Sequence, residues 1–241
     1  MPTKKTFLLT GASRGIGYAT ALLLADQGHQ VIGLARHAPA QDFPGTFVAI
    51  DLADAAAAAA TFQELAAKFQ IDGIVNNVAA VGAQPLEAVT LEGLNTVLDL
   101  NLRPALQAVQ AFLPGMKARG WGRIVNISSL TTLGVPFRTA YSAAKAGLIS
   151  FTRSWALELA TTGITVNAVA PGPTETELFR SNNPVGSAGE KRYLAGVPMA
   201  RFGKPAEIAA AIGFFLSEEA AFTTGQTLFV DGGSSIGKQL L

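Results

Sequence analysis

Thr10-Gly11-Ala12-Ser13-Arg14-Gly15-Ile16-Gly17 is the stretch that decides the fold. It follows a short apolar run, Thr6–Thr10, and opens a helix-length segment, Gly15–Gln27. Glycines between a strand and a helix allow a tight turn and a close backbone approach by a diphosphate, which the helix's free N–H groups and positive dipole end then hold. The spacing Gly-x-x-x-Gly-x-Gly differs from the commoner dinucleotide fingerprint Gly-x-Gly-x-x-Gly. Its position at a strand–helix junction is what favours a cofactor turn over a merely structural one. Gly11, Ser13, Arg14, Gly15, Ile16 and Gly17 are accordingly cofactor-binding candidates.

Outward from this turn, β-branched or apolar runs alternate with helical patterns. Strands are predicted at Gln30–Ala35, Thr46–Ile50, Ile71–Val75, Arg123–Ser128, Ile164–Val169 and Gln226–Val230 as well as Thr6–Thr10. Helices are predicted at Gly15–Gln27, Asp54–Phe69, Thr90–Lys117, Thr139–Ala160 and Pro205–Ser217. Strands separated by helix-length crossovers imply a parallel sheet covered on both faces. The expected fold is therefore α/β, a doubly wound, Rossmann-type parallel sheet of about seven strands with ligands at the strands' carboxyl ends. Its length of 241 residues suits one domain over residues 1–241. The Pro- and Gly-rich stretch from Pro171 to Gly203 is too long for a plain connection. Its apolar residues, Leu178, Phe179, Tyr193, Leu194, Val197 and Met199, favour a helical substrate lid at about 174–203.

Composition excludes several functions. The chain is 49% hydrophobic and 15% charged with net charge +1, so a large core is available and no basic run suggests nucleic acid or a membrane surface. Absence of cysteine removes thiolate chemistry, and two histidines are too few for a histidine metal centre, so no metal is expected. Met1-Pro2-Thr3-Lys4-Lys5 leads into a run too short for a signal sequence, and no apolar stretch approaches a membrane span, so a cytoplasmic location is expected.

Chemistry is concentrated in Tyr141-Ser142-Ala143-Ala144-Lys145. Four residues apart on a helix, Tyr141 and Lys145 share a face. A neighbouring ammonium favours the phenolate and moves a tyrosine toward the range useful for proton transfer. After the second strand a guanidinium, Arg36, stands where an NAD site usually has a carboxylate, and Arg14 supplies a second positive charge. The fork of arginine suits a 2′-phosphate, so the expected cofactor is NADP(H).

With the glycine turn, Asn101, Ser128-Ser129 and Tyr141-x-x-x-Lys145 in order, the chain resembles the short-chain dehydrogenase/reductase family along essentially its whole length. The likeness includes Asp51-Leu52, Asn76-Asn77, Arg123-Ile124-Val125-Asn126-Ile127-Ser128-Ser129, Pro171-Gly172-Pro173 and Val230-Asp231-Gly232-Gly233. It implies that Tyr141 is the general acid in carbonyl reduction and that Lys145 lowers its pKa and bonds the nicotinamide ribose. Ser129 would hold the substrate oxygen, and Asn101 would anchor a water in a proton relay. Pro104, lacking an N–H, should disturb the helix beside Asn101. The resemblance further implies that Asp51 and Leu52 flank the adenine and that Asn77 meets the adenosine ribose. Pro171 and Gly172 would lie along the nicotinamide, with Thr174 and Thr176 near its carboxamide and the phosphates.

Three departures bear on this transfer. Asn76-Asn77-Val78-Ala79 replaces the usual Asn-Asn-Ala-Gly. The segment from Ser129 to Tyr141 is one residue short, so counting back from Tyr141 points to Ser128 instead. Thr161-Thr162 occupies a helix end where carrier-protein reductases present a basic residue. The nearest general likeness is to 3-oxoacyl-carrier-protein reductases, which implies a ketone or acyl thioester substrate with acyl carrier protein as a partner. Lys117, Arg119, Arg123, Lys191, Arg192 and Arg201 could form its basic landing surface. A small-alcohol or sugar dehydrogenase and a non-catalytic NADP-binding regulator are the alternatives. A homotetramer through the helices at Thr90–Lys117 and Thr139–Ala160 and the C-terminal region is implied as well, with Leu148, Phe151, Trp155 and Leu159 on its surface.

Overall fold

A computed structural model describes residues 4–237; residues 1–3, including the start of the segment read above as no signal sequence, and 238–241 lie outside the described residues. Seven strands form one parallel sheet: β1 (Thr6–Thr10), β2 (Gln30–Ala35), β3 (Thr46–Ala49), β4 (Gly73–Asn76), β5 (Gly122–Ile127), β6 (Ile164–Pro171) and β7 (Thr227–Val230). Their order is β3-β2-β1-β4-β5-β6-β7. The order reverses between β1 and β4, which opens a crevice at the carboxyl ends of those two strands.

Alternation along each strand divides the core in two. Leu8, Ile32, Ile74, Ile124 and Val166 pack against α2 (Ala55–Lys68), α3 (Leu91–Arg119) and α4 (Thr139–Leu159). Phe7, Leu9, Val31, Val75, Val125 and Val169 face α1 (Gly15–Asp26) and α7 (Pro205–Leu216) on the other side. The alanine run Ala55–Ala60 forms the start of α2, capped by Asp54, whose carboxylate accepts from the N–H groups of Ala56 and Ala57 at 3.0 Å.

Two local expectations change. β4 begins at Gly73 rather than Ile71, because the Asp72 carboxylate accepts the Thr6 N–H at 2.9 Å and Ile71 packs into the core. α3 runs unbroken through both Pro104 and Pro114. Pro104 is buried beside Ala105 and Ala108, so packing of that face offsets the roughly 3 kcal/mol that an interior proline costs.

Within the stretch read as a lid, Thr176 caps α5 (Glu177–Asn182) and Ser187 caps α6 (Ala188–Leu194). Arg180 joins the two by pairing with Glu190 of α6, and it also pairs at 2.6 Å with Glu175, which precedes α5. The Phe179 ring meets Phe202 at 4.8 Å and Tyr193 at 5.4 Å, giving the segment a small apolar centre of its own.

Candidate active site

The glycine turn sits at the mouth of the crevice, at the end of β1. Gly11 and Gly15 have φ of 65° and 56°, a region that favours glycine. A Cβ at Gly17 would lie 2.3 Å from the Gly11 carbonyl oxygen, so the turn closes only because residue 17 has no side chain. Asn77 clamps it from β4, its Nδ2 donating to the carbonyls of Thr10 and Gly11 at 3.0 Å. The N–H groups of Asn77 and Val78 donate in return to Thr10 Oγ1. The Asn77 amide expected at a ribose is thus engaged in holding the turn.

The turn fits a dinucleotide diphosphate on chemical grounds. α1 starts with no side-chain cap and no acidic residue in its first turn, which leaves its leading N–H groups and positive end for an anion. Ser13 and Ile16 lie within this turn and are partly buried. Arg14 and Arg36 are both exposed and make no ion pair among the described residues. The beginning of the lid reaches the same place, because a Cβ on Gly15 would meet the Thr176 methyl at 3.2 Å.

Other cofactor candidates divide. Asp51 is exposed after β3, its carboxylate accepting the Ala53 N–H at 3.0 Å. Leu52, expected beside the adenine, is instead 2% exposed and part of the core, so its side chain is not available to a base. Pro171 ends β6, and a Cβ on Gly172 would collide with Asp231 Cβ at 2.6 Å, packing the C-terminal segment against this end of the sheet. Thr174 is buried and donates to the Gly172 carbonyl at 3.0 Å. Val78, the bulkier residue of the departure after β4, packs against the core, and Ala79 is exposed.

Tyr141 and Lys145 lie one turn apart on α4. Lys145 is 1% exposed, and its Nζ donates to the Ile127 carbonyl at 2.8 Å and lies 5.6 Å from the Tyr141 ring centre. Burial draws the Lys145 pKa down to about 7. The Tyr141 pKa is raised, chiefly by burial, opposed by a hydrogen bond from Ser129 and then by the charge of Arg138. This corrects the expectation that Lys145 depresses the phenol. Within the polypeptide alone, desolvation of the phenol outweighs the Ser129 hydrogen bond and the Arg138 charge, and Lys145 is itself only partly charged near neutral pH.

The two serines separate by what they touch. Ser128 is 2% exposed and its Oγ donates to the Lys145 carbonyl at 2.9 Å, tying β5 to α4. Ser129 faces the phenol and accepts the Thr131 N–H at 3.2 Å as the cap of the short 3-10 turn Leu130–Leu133. Asn101 is buried, its Nδ2 donating to the carbonyls of Val97 at 2.8 Å and Ala80 at 2.9 Å. Its Oδ1 is also buried, with no partner in the protein, so it suits a bound water.

A polar chain that links two asparagines of the family likeness to Thr152 braces the floor of the site. Asn76 Nδ2 donates to Asn126 Oδ1 at 2.8 Å, Asn126 Nδ2 to Thr152 Oγ1 at 2.9 Å, and Thr152 Oγ1 to the Leu148 carbonyl at 2.8 Å. It crosses β4, β5 and α4, elements whose adjacency only the fold reveals. Sequence reading missed Arg138, three residues ahead of the phenol it influences.

The proposed landing surface is largely dispersed. Lys117, Arg119 and Arg123 lie around the amino end of β5, away from the carboxyl ends that form the site. Arg123 is 2% exposed and donates to the Ser217 carbonyl, Arg119 pairs with Asp72, and Arg201 pairs with Glu207 at 2.6 Å. Lys191 and Arg192 remain exposed on the lid. Of the residues assigned to an intersubunit face, Leu148 and Leu159 are core residues, whereas Phe151 and Trp155 stack at 4.9 Å and are partly exposed. Among the described residues no group of metal-ligating side chains occurs, and no helix is long and apolar enough to cross a membrane.

A family model described as enoyl-(acyl carrier protein) reductase matches residues 11–235. A 3-oxoacyl-[acyl-carrier-protein] reductase of Vibrio harveyi is 40% identical, the match covering 95% of this chain and 96% of that protein. Its Escherichia coli counterpart is 39% identical over the same shares. Among solved structures, a Beutenbergia cavernae chain provisionally described as an NAD(P)-dependent gluconate 5-dehydrogenase, with NADP at low occupancy, has a TM-score of 0.92. It is 32% identical, the match covering 98% of both chains. Thermoplasma acidophilum aldohexose dehydrogenase has a TM-score of 0.90 at 31% identity, covering 99% of this chain and 96% of that one.

Proposed function

Since this chain belongs to the short-chain dehydrogenase/reductase family and is an NADP-dependent oxidoreductase, we propose that it reduces a ketone, with 3-oxoacyl thioesters as the leading substrate class. The observation that carries this reading is the convergence of the Ser129 hydroxyl, the Tyr141 phenol and the buried Lys145 at the carboxyl end of β5, beside a glycine turn suited to a diphosphate.

The roles follow from the chemistry of each group. NADPH, when bound, supplies the hydride that reaches the carbonyl carbon. Ser129 and Tyr141 donate hydrogen bonds to the substrate oxygen, so negative charge developing there meets donors already in place. Tyr141 then gives its proton to that oxygen. A phenol held above its ordinary pKa stays protonated, which suits the acid role. Lys145, poised near neutrality, can pass a proton back through a water held at Asn101 Oδ1. Gly11 and the α1 N-terminus would hold the diphosphate, and Arg14 and Arg36 the 2′-phosphate. Asp51 would lie near the adenosine, and Pro171, Gly172, Thr174 and Thr176 would border the nicotinamide half. The whole chain acts as one domain whose segment 174–203 covers the substrate.

Carrier-bound substrates draw support from the 39–40% identical reductases and from Lys191 and Arg192 on the lid. A sugar or small-alcohol dehydrogenase is the second reading, favoured by the likeness to the aldohexose and gluconate enzymes. A cytoplasmic homotetramer, using the Phe151–Trp155 face of α4, completes the proposal. NADPH consumption with a panel of ketones, sugars and 3-oxoacyl thioesters tests it. Turnover that Tyr141→Phe abolishes is the expected result, whereas tight NADPH binding without turnover on any substrate would mark a regulator.

A further inference from the structure

A cation at the start of α4, Arg138, forms no ion pair among the described residues. Arg138 immediately precedes α4 and lines a groove of about 520 Å³ with Leu86, Val135, Pro136, Phe137 and Ser142. Its Nη1 is shielded from solvent and bonds to nothing, and so is Ser142 Oγ one helical turn further on. The acid on this rim, Glu87, is exposed and forms no ion pair among the described residues either. Burying a guanidinium N–H without an acceptor is expensive, and such atoms in native proteins point to a missing ligand or a functional role.

The backbone is shaped to keep it there. Phe137 has φ of 64°, an unfavourable region for a residue with a bulky side chain, and its carbonyl is held by the Gln84 N–H at 3.1 Å. The Phe137 ring is left 58% exposed while the next side chain turns its nitrogen inward. α4 begins with neither a side-chain cap nor an acidic residue in its first turn, so its positive end adds to the Arg138 charge. Arg138 and Tyr141 stand three residues apart across the first turn of α4, and Ser142 of the groove is the phenol's immediate neighbour in the chain, so the groove opens at the same end of α4 as the phenol.

We propose that Arg138, with Ser142, binds a carboxylate carried by the substrate, so that oxo acids are preferred over neutral ketones of the same skeleton. The guanidinium fork and a neighbouring hydroxyl can satisfy both carboxylate oxygens, and the Leu86, Val135 and Pro136 walls accept a short carbon chain. The inference rests on the ketone-reductase reading and, because the acyl carbonyl of a 3-oxoacyl thioester is no carboxylate, it shifts the preferred ketone from that class to free oxo acids. Arg138 is a specificity-determining residue here, distinct from the groups that move the proton.

Pyruvate, acetoacetate and levulinate, each against its methyl ester, test the idea in two measurements. These are kcat/KM with NADPH, and affinity for the enzyme–NADP complex by calorimetry. At least one acid should exceed its ester by about tenfold or more, the range of a charge-assisted hydrogen bond. Arg138→Met should collapse that ratio, and Arg138→Lys should restore part of it, a pattern that a purely structural role would not produce. Equal use and binding of acid and ester throughout, or a preference that survives Arg138→Met, overturns the proposal. Arg138-dependent binding of an acid without turnover would uphold it and sink the reductase reading. Turnover of neutral ketones with no acid preference would do the reverse.

Discussion

Lys145→Met should make the stability of the protein less dependent on pH. The wild-type ammonium is fully buried and its pKa is drawn from 10.5 to about 7, so below pH 7 folding carries the whole penalty of charging it. The sign follows from linkage. Between about pH 7 and pH 10.5 the unfolded chain binds this proton and the folded one does not, so stability rises with pH in that window. A displacement of about 3.5 units corresponds to about 5 kcal/mol in total, of which roughly 2 kcal/mol is recovered between pH 7 and pH 9. Methionine fills a similar volume without a charge, but it leaves the Ile127 carbonyl unpaired, a pH-independent loss of about 1–3 kcal/mol. Urea unfolding at fixed protein concentration from pH 6.5 to 9.5 gives the difference between the two proteins at each pH, in which other titrations cancel. Wild type should gain on the variant by roughly 2 kcal/mol from pH 7 to pH 9. Parallel curves would mean that Lys145 keeps an ordinary pKa in the fold and would refute the desolvation argument.

Four further substitutions separate roles in the site. Ser128→Ala should lower stability by about 1 kcal/mol through loss of the bond to the Lys145 carbonyl and leave kcat nearly unchanged, whereas Ser129→Ala, which loses a turn cap of similar worth, should also cut kcat at least tenfold. Steady-state kinetics beside denaturation on the pair distinguish them, and the opposite pattern would exchange the two serines. Arg36→Asp should weaken NADPH binding about tenfold or more while improving NADH binding, read by fluorescence titration; an unchanged preference would show that Arg36 meets no phosphate. Gly17→Ala forces a Cβ to within 2.3 Å of the Gly11 carbonyl oxygen, so it should abolish NADPH binding even where the melting profile shows a folded protein.

What the sequence disclosed depended on whether the signal was local. Strand–helix alternation, the glycine turn and the Tyr141/Lys145 spacing are local patterns, and the sheet follows from them because parallel strands need long crossovers. The direction of the Tyr141 shift was not legible. The neighbouring ammonium is visible at four residues' distance, but the burial that outweighs it comes from Val97, Ala140 and Ala144 packing around the ring. Leu52 illustrates the same limit, since a motif position next to the cofactor strand proved to be a core residue. Asn126 stands in a stretch that carries the family likeness, but its partner Thr152, through which it joins β5 to α4, has no mark in one dimension. The cations Lys117, Arg119 and Arg123 looked like a patch because they are close in sequence; topology puts them at the wrong end of β5.

The segment after β7 packs against the carboxyl end of β6. The Gly172 N–H donates to the Val230 carbonyl, the Met199 N–H donates to the Gly232 carbonyl, and the Asp231 carboxylate collects the N–H groups of Gly233 and Ser235. Residues near 172, 199 and 231 therefore lock one another. A change that removes the Asp231 carboxylate frees the Gly233 and Ser235 N–H groups together and loosens the joint at the carboxyl end of β6, so damage here is felt at a sheet edge shared with reacting groups about 90 positions earlier in the chain.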